Sequence, residues 1–230
     1  MYYGWRGKVG PVLPQTGSAP EHEYHEYLPD GLIITTTRIL FEKVDPQGLE
    51  EMDGRVEEGA RLIATAGLDI IVFPCTTGSL IKGYGYDQEL IHRIKASSGV
   101  KKAMTTTAAV VRALDAVAAP CPVQVDATEK QFLEDSGFQV LNIRGLCFTD
   151  PLCMPRGTPD QICRMAKEVD TSEAAAVFIS CTGFGILDSV PMLKRDLGKA
   201  VITSNQATWW ATLRELIVRE DLGLGLLFRL

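Results

Sequence analysis

Two apolar segments, each leading into a Cys-Thr pair and a nearby glycine, constrain the fold of this chain more than any other feature. The first covers residues 69–79 (DIIVFPCTTGS) and the second covers residues 175–185 (AAVFISCTGFG). An apolar run of this length predicts a strand that is buried on both faces of a parallel sheet. Because ligands collect beyond the carboxyl ends of such strands, Cys75 and Cys181 are both expected at a binding site.

The residues around the two cysteines favour a chemical role for the thiols. Glycine lets the backbone turn sharply with its N–H groups pointing outward. If a helix follows, its N-terminus lowers the pKa of a thiol from about 8.5 into the range of roughly 3.5 to 7.5. Two such thiols that face one pocket form a proton donor and a proton acceptor. The alternative is that both are buried small hydrophobic residues, which is common for cysteine, but their shared place at a strand end favours an active site.

Threonines beside the cysteines provide further polar groups. Thr76, Thr77 and Thr182 carry hydroxyls, and their backbone amides are suited to holding a carboxylate or a developing enolate oxyanion. The alternative is that these residues only cap turns. Their position beside the two thiols makes them candidates for binding the substrate.

Composition excludes several classes of function. The chain has 230 residues, is 46% hydrophobic and carries a formal net charge of −6, with its basic residues spread along the sequence. Binding to nucleic acid or to an anionic membrane is therefore not expected, because both need a basic patch. We find no signal peptide and no apolar run near the roughly 18 residues of a membrane helix, so we expect a cytoplasmic protein. No C-x-x-C pair occurs, and a structural zinc site is not expected.

Apolar runs and helix caps alternate along the chain, which predicts a mostly parallel α/β sheet. The predicted strands lie at residues 8–13, 32–38, 69–73, 100–105, 117–119, 138–143, 175–180 and 200–203. The predicted helices lie at residues 46–66, 88–97, 110–114, 127–136, 159–169, 188–197 and 207–219. Pro11 argues against a regular central strand for the first segment. The recurrence of strand, helix, strand and Cys-Thr turn suggests two similar lobes with a pseudo-twofold relation.

Three other motifs carry weaker signals. Residues 22–25 (HEYH) place two histidines at i and i+3, whereas zinc proteases place them at i and i+4, so a solvated helix start is favoured. Residues 183–185 (GFG) lack the third glycine of a dinucleotide fingerprint, and we expect no nucleotide cofactor. The polar residues 203–206 are placed to reach the pocket, whereas Trp209 and Trp210 are expected to pack in the core.

At these residues the chain resembles the aspartate/glutamate racemase superfamily, within its subgroup of maleate cis-trans isomerases and arylmalonate decarboxylases. The resemblance covers nearly the whole chain and rests on the segments 14–17 (PQTG), 75–77 (CTT), 179–183 (ISCTG) and 197–204 (LGKAVITS). It implies an α/β fold of two flavodoxin-like (Rossmann-like) lobes with parallel sheets and an active site at their interface. We expect residues 1–109 plus 204–230 to form the first lobe and residues 110–203 to form the second.

The resemblance also implies cofactor-independent chemistry at the carbon next to a carboxylate, with Cys75 and Cys181 as the catalytic pair. Decarboxylases of this subgroup carry glycine where Cys75 stands, whereas racemases and cis-trans isomerases keep both cysteines. Isomerases usually carry Asn where Gly17 stands and Tyr where Cys121 stands, and both positions hold substrate carboxylates. The resemblance implies the following substrate-binding residues: Pro14, Gln15, Gly17, Thr76, Thr77, Cys121, Thr182 and Gly183.

The resulting prediction is a cytoplasmic isomerase or racemase of a small carboxylate or dicarboxylate that uses no metal and no cofactor. The alternative enzyme is a decarboxylase of a substituted malonate with Cys181 as its proton donor. A third alternative is a binding or redox-sensing protein whose two thiols form a disulfide, which a substrate held between them would oppose. The substrate, the stereochemistry, the cysteine that is the resting thiolate and the formation of a homo-oligomer stay open.

Overall fold

A computed structural model describes residues 2–117, 121–124, 127–145 and 152–230, with the backbone alone described at residues 121–124, 127 and 154. Every strand pairing in these ranges is parallel, and helices alternate with the strands. The parallel α/β fold predicted from the sequence is therefore confirmed. Within the described ranges, no helix has the length and apolar character that crossing a bilayer requires.

The first sheet contains the strand that leads to Cys75. Its strands follow the order β2, β1, β4 and β5, with β3 also paired to β1. Their bounds are β1 Gly7–Pro14, β2 Leu32–Ile34, β3 Thr37–Ile39, β4 Ile70–Phe73 and β5 Lys102–Thr105. The predicted strand at residues 32–38 is thus two short strands. They flank the same edge of β1, since β2 pairs with residues 7–9 and β3 pairs with residues 12–14.

The expectation that Pro11 would disturb a central strand is wrong. Pro11 lies in β1 and pairs with Val72 of β4. Val9 has the same parity as Pro11, and its carbonyl accepts the Thr35 N–H at 3.0 Å, so both residues direct their backbone polar groups toward β2 and β3. Residue 11 lies between the two pairing segments on that edge. The missing N–H of proline therefore falls where the ladder is interrupted, which removes the usual cost of proline in a sheet.

The second sheet contains the strand that leads to Cys181. Its strands follow the order β7, β6, β8 and β9. Their bounds are β6 Cys121–Gln124, β7 Val140–Ile143, β8 Ala176–Ile179 and β9 Ala200–Thr203. The strands β4 and β8 both have buried residues throughout. This burial is what the two uninterrupted apolar runs predict.

All seven predicted helices are present, and with one of them divided in two and with a helix at residues 18–26 in addition the described residues contain nine helices. They are α1 Ser18–Glu26, α2 Pro46–Asp53, α3 Val56–Ala64, α4 Tyr86–Ser98, α5 Thr106–Val117, α6 Ala127–Asp135, α7 Pro159–Val169, α8 Val190–Leu197 and α9 Ser204–Glu215. The single helix predicted at residues 46–66 is broken at Gly54 into α2 and α3. The strand predicted at residues 117–119 is wrong at Val117, which ends α5, and its other two residues lie outside the described residues.

One hydrophobic core joins the two sheets. It combines residues of β1 and β4 with residues of β8 and β9, and the helices α5 and α9 pack against each other within it. Trp209 is fully buried there and stacks on Tyr24 of α1 with ring centroids 4.9 Å apart. Trp210 is buried as well, so the expectation that both tryptophans pack in the core is confirmed. This shared core places the carboxyl ends of β4 and β8 at a common cavity.

Candidate active site

Cys75 lies in a tight turn directly after β4. Its N–H donates to the Phe73 carbonyl at 3.0 Å, and its own carbonyl accepts from the Ser79 N–H at 3.1 Å and the Ser79 hydroxyl at 2.7 Å. Residues Thr77–Ser79 form a 3-10 turn, which brings the Gly78 N–H to 3.4 Å from the Cys75 sulfur. A Cβ at Gly78 would lie 2.9 Å from that sulfur, so the turn needs glycine for steric reasons.

Cys181 lies in the corresponding place after β8, in a strained backbone conformation. Its φ of 107° is in a region that residues other than glycine rarely adopt. The Cys181 N–H donates to the Ser204 hydroxyl oxygen at 3.1 Å, and the Gly183 N–H lies 3.3 Å from the Cys181 sulfur. Strain of this kind is typical of functional turns that the surrounding structure holds in place.

Both cysteines line one cavity of about 510 Å³, measured to include its open mouth. The described residues that line it are Pro14, Thr16, Gly17, Phe41, Val44, Leu49, Cys75, Thr76, Thr77, Pro155, Cys181, Thr182 and Gly183. The structure therefore brings together eight of the ten residues that the sequence singled out, whereas Gln15 is not among the lining residues and the side chain of Cys121 lies outside the described residues.

Gln15 lies beside the cavity and supports its wall. Its side-chain oxygen accepts the Phe41 N–H at 3.3 Å, and its carbonyl accepts from the Arg38 guanidinium at 2.9 Å. Phe41 itself lines the cavity. Cys121 begins β6, but its side chain lies outside the described residues. Its expected contact with the substrate stays a prediction.

The cavity wall is more apolar than the sequence indicated. Phe41, Val44 and Leu49 form part of it, and none of the lining residues that the structure describes carries a charged side chain. Val44 and Leu49 belong to the segment around the start of α2, where Asp45 caps the helix by accepting the Gly48 N–H at 2.7 Å. The sequence signal for this helix was clear, but nothing local to it indicated that its first turn faces the cysteines.

The thiols are less acidic than the sequence suggested. Burial raises the pKa of the Cys75 thiol to about 12, and the N–H of Gly78 partly offsets this. Burial likewise raises the pKa of the Cys181 thiol to about 11, partly offset by the N–H of Gly183. The expected lowering required a helix directly after each cysteine, but α4 begins only at Tyr86 and α8 only at Val190. Desolvation therefore outweighs the backbone N–H groups at the two sulfurs, which are those of Gly78 at Cys75 and of Gly183 and Phe184 at Cys181.

Buried polar side chains hold the two turns from behind. Ser204, the first residue of α9, accepts from the Thr76 hydroxyl at 3.0 Å as well as from the Cys181 N–H. Ser180 donates to both carboxylate oxygens of Glu129 on α6, at 2.7 and 2.8 Å. The sequence placed residues 203–206 near the pocket in general terms, whereas it gave no indication of Glu129.

Residues 22–25 lie in α1, and the two histidines, His22 and His25, are exposed, as in the solvated helix that the sequence favoured. Glu23 and Tyr24 of the same segment are buried, which the sequence did not indicate. The Glu23 carboxylate accepts from the Leu187 N–H at 2.9 Å and from the Asn205 amide at 2.6 Å. Burial raises the pKa of the Glu23 carboxyl to about 7. These contacts join residues that are 164 and 182 positions apart, so no local pattern could have predicted them.

Comparison with known proteins agrees with this geometry. The maleate isomerase of Pseudomonas putida is 23% identical over 228 residues and covers 91% of each chain, and that of Nocardia farcinica is 28% identical over 232 residues, covering 91% of this chain and 90% of the relative. A solved cysteine-to-serine variant of the Nocardia farcinica maleate cis-trans isomerase, with a covalently bound succinylcysteine intermediate, has a TM-score of 0.87 and 22% identity and covers 93% of this chain and 94% of its own.

The family model described as arylmalonate decarboxylase matches residues 9–227, which is nearly the whole chain. The match confirms the resemblance inferred from the two cysteine turns, and the likeness to the solved isomerase confirms the two-lobe fold. The chain belongs to the arylmalonate decarboxylase family.

Proposed function

We propose that this protein is a cofactor-independent isomerase or racemase of a small carboxylate that uses Cys75 and Cys181 as its catalytic pair. The observation that carries the proposal is that both thiols line one cavity, each in the turn after a buried parallel strand. The similarity to maleate isomerases along nine-tenths of the chain supports an isomerase. Retention of Cys75 favours this reading over decarboxylation.

In the cis-trans isomerase version, the Cys75 thiolate adds to a carbon of the double bond and forms a C–S bond. The electron pair of the double bond moves to the neighbouring carbon and its carboxylate, and the Cys181 thiol gives its proton to that carbon. Rotation about the central single bond follows. The Cys181 thiolate then removes the proton, the double bond re-forms and the C–S bond breaks. The succinylcysteine in the related isomerase is the kind of adduct that such an addition gives.

In the racemase version, one thiolate removes the proton from the α-carbon and the opposite thiol delivers a proton to the other face. Both versions need one thiolate and one thiol at the same time, so the pair titrates as a coupled unit. The N–H groups of Gly78 and Gly183 lie close to the two sulfurs, at 3.4 and 3.3 Å, and stabilise a thiolate at either position.

The cavity wall narrows the substrate class. A carboxylate has backbone amide partners at Thr76, Thr77 and Thr182 and hydroxyl partners at the latter two, whereas Phe41 and Leu49 offer only apolar contact. A substrate that carries an apolar substituent beside its carboxylate therefore fits the described wall better than an unsubstituted dicarboxylate does. Gly17 also lines the cavity. Isomerases of this subgroup usually carry Asn at this position, and the side-chain amide of Asn is absent from glycine.

The second candidate is decarboxylation of a substituted malonate, with Cys181 as the proton donor. The name of the matching family and the glycine at position 17 favour it. Decarboxylases of this subgroup carry glycine where Cys75 stands. A thiolate at Cys75 would place negative charge beside the carboxylate that leaves as CO2, which disfavours binding of that carboxylate.

Two further properties are proposals of the same kind. A cytoplasmic location is supported by the need to keep both thiols reduced, which the cytosol ensures.

The two separate sheets support a division of the chain into two lobes, since β5 ends at Thr105 and β6 begins at Cys121. The first lobe would consist of residues 1–109 plus 204–230, and the second would consist of residues 110–203.

A proton NMR screen in deuterium oxide tests the proposed function. The purified protein is incubated with maleate, aspartate, glutamate, hydantoins and arylmalonates, and released CO2 is measured in parallel, with heat-denatured protein as the control. We expect one substrate to isomerise, or to exchange its α-proton with inversion, without loss of carbon. Stoichiometric CO2 from a malonate, at a rate above any isomerisation or racemisation, would establish the second candidate instead.

A further inference from the structure

Asn205, the second residue of α9, contacts the backbone of the turn that carries Cys181. The contact lies on the side of this turn that faces away from the Cys181 sulfur. Its amide nitrogen Nδ2 lies 3.0 Å from the Thr182 carbonyl and 3.3 Å from the Phe184 carbonyl. Asn205 is almost fully buried and is not among the residues that line the cavity. Its effect on the reaction must therefore pass through the turn.

The peptide between Thr182 and Gly183 links this contact to the thiol. The described residues contain no cis peptide bond, and in a trans peptide the C=O and N–H groups point in opposite directions. Because Asn205 holds the Thr182 carbonyl on one side, the Gly183 N–H of the same peptide faces the other way. It lies there 3.3 Å from the Cys181 sulfur.

Glu23 fixes which end of the Asn205 amide faces the turn. Its Oε2 accepts from Nδ2 at 2.6 Å, while its Oε1 accepts from the Leu187 N–H at 2.9 Å. Three oxygen acceptors thus surround Nδ2, and a flipped amide would place its oxygen against all three. The Oδ1 atom is buried without a hydrogen-bond partner in the described residues, a cost that the donor contacts must offset.

We propose that Asn205, oriented by Glu23, is a positioning residue that turns the Thr182–Gly183 peptide so that its N–H stabilises the thiolate of Cys181. This inference rests on the proposed function for its catalytic consequence, because only the proposed mechanism makes Cys181 a proton donor and acceptor. The contact itself belongs to the resting protein. It is therefore testable without a substrate.

Other charged groups act on the same two sites and stay unchanged in the test. Asp188, which follows Leu187 in its 3-10 turn, interacts electrostatically with Glu23, as do Tyr24 of α1 and Tyr27 directly after that helix. Glu129 on α6 and the Cys75 thiol interact electrostatically with Cys181. Glu129 also accepts from the hydroxyl of Ser180, the residue before Cys181, whereas Asn205 acts through the direction of one N–H group.

The test is the rate at which iodoacetamide alkylates each cysteine, followed by peptide mass spectrometry between pH 7 and 10.5. Asn205→Leu removes the donor at similar volume, and Glu23→Gln leaves one side-chain oxygen for two donors, the Asn205 amide and the Leu187 N–H, which weakens the orientation of that amide. Asn142→Leu is the matched control, because Asn142 likewise donates to a backbone carbonyl, that of Val169 at 3.0 Å, outside the site. Cys75, which has its own glycine donor, is the internal reference.

We expect alkylation of Cys181 to slow by roughly fivefold or more at pH 8 in both variants, as loss of one hydrogen bond to a charged sulfur implies. The pH dependence of Cys181 alkylation should shift to higher pH, whereas the alkylation rate of Cys75 should stay within about twofold of its value in the unchanged protein. An unchanged Cys181 profile in both variants would overturn the proposal. So would faster alkylation of both cysteines, because a loosened fold exposes thiols instead of making one less acidic. Failure of the turnover screen would leave this result unaffected.

Discussion

The hydroxyl of Thr76 lies 3.0 Å from the hydroxyl of Ser204, and the same Ser204 oxygen accepts the N–H of Cys181 at 3.1 Å. Thr76 follows Cys75 directly, so one buried side chain at the start of α9 joins the turns that carry the two cysteines. The two turns belong to different sheets. Their relative placement therefore depends on a residue that has no chemical role of its own.

Ser204→Ala should reduce kcat by about tenfold or more, because the N–H of a strained Cys181 would lose its acceptor. The loss of a buried hydrogen bond should also lower the free energy of unfolding by about 1–3 kcal/mol. Turnover of the substrate found by the screen and urea denaturation measure the two effects. Thr212→Ala is the control, since Thr212 is a buried hydroxyl of the same helix that donates to the Thr208 carbonyl at 2.7 Å. An equal loss of kcat in both variants would contradict a specific role for Ser204.

Gly78→Ala should displace the Cys75 sulfur. The new Cβ would lie 2.9 Å from that sulfur and 2.7 Å from the Met52 methyl group, both closer than real Cβ contacts allow. We expect kcat to fall by about tenfold or more, a rise in the barrier of at least roughly 1.4 kcal/mol. Gly54→Ala is the matched control, because Gly54 has a φ of −61° and a Cβ there would meet nothing closer than 3.6 Å. Full activity of Gly78→Ala would show that the sulfur tolerates displacement.

The rate should rise steeply with pH. Because burial raises the pKa of Cys181 to about 11 and that of Cys75 to about 12, both thiols are neutral in the resting protein at pH 7. We expect kcat/KM, which reports the free enzyme, to increase about tenfold per pH unit from pH 7 to 9. A raised thiol pKa costs stability as pH rises above the unfolded value of about 9, so folding must be checked by circular dichroism at each pH. A flat profile around pH 7 would mean that one thiolate already exists in the resting protein.

Apolar substituents on a malonate should strengthen its binding to the cavity, because Leu49 forms part of the apolar cavity wall. In the series malonate, methylmalonate, ethylmalonate and propylmalonate, each added carbon should lower the inhibition constant about fourfold, as burial of about 0.8 kcal/mol per CH2 implies. Leu49→Ala should reduce the decrease in the inhibition constant that each added carbon gives. Leu62→Ala should not, because Leu62 is 64% exposed on α3 and does not line the cavity. Unsubstituted malonate binding more tightly than its alkyl derivatives would contradict the apolar wall.

Local sequence patterns were sufficient to predict the two cysteine turns. An uninterrupted apolar run predicts a buried strand, and the Thr and Gly residues after it indicate a turn. The positions of Cys75 and Cys181 at strand ends could therefore be predicted from about ten residues each. The caps of α2 at Asp45 and of α7 at Thr158 are equally local, since each is a capping residue directly before a proline. Such features depend on the residues next to them in the chain.

Features that depend on distant parts of the chain could not be predicted in this way. Glu23 was assigned to a solvated helix because its neighbours in sequence are polar, yet its partners are Leu187 and Asn205. The acidity of the thiols was misjudged for the same reason, since the burial that dominates it arises only when both sheets close around the cavity. Pro11 was judged by its residue type, but the break between β2 and β3 that accommodates it is a property of the sheet.

The measurement that tests the two-cysteine mechanism most directly is the turnover of Cys75→Ser and Cys181→Ser, each compared with the unchanged protein on the substrate found by the screen. A serine hydroxyl is far too weak an acid to act as the thiolate near neutral pH, so each variant should lose nearly all activity while its far-UV circular dichroism stays unchanged. If either folded variant keeps more than about a tenth of the rate, a barrier change below roughly 1.4 kcal/mol, that cysteine has no part in the mechanism and the two-cysteine account is contradicted.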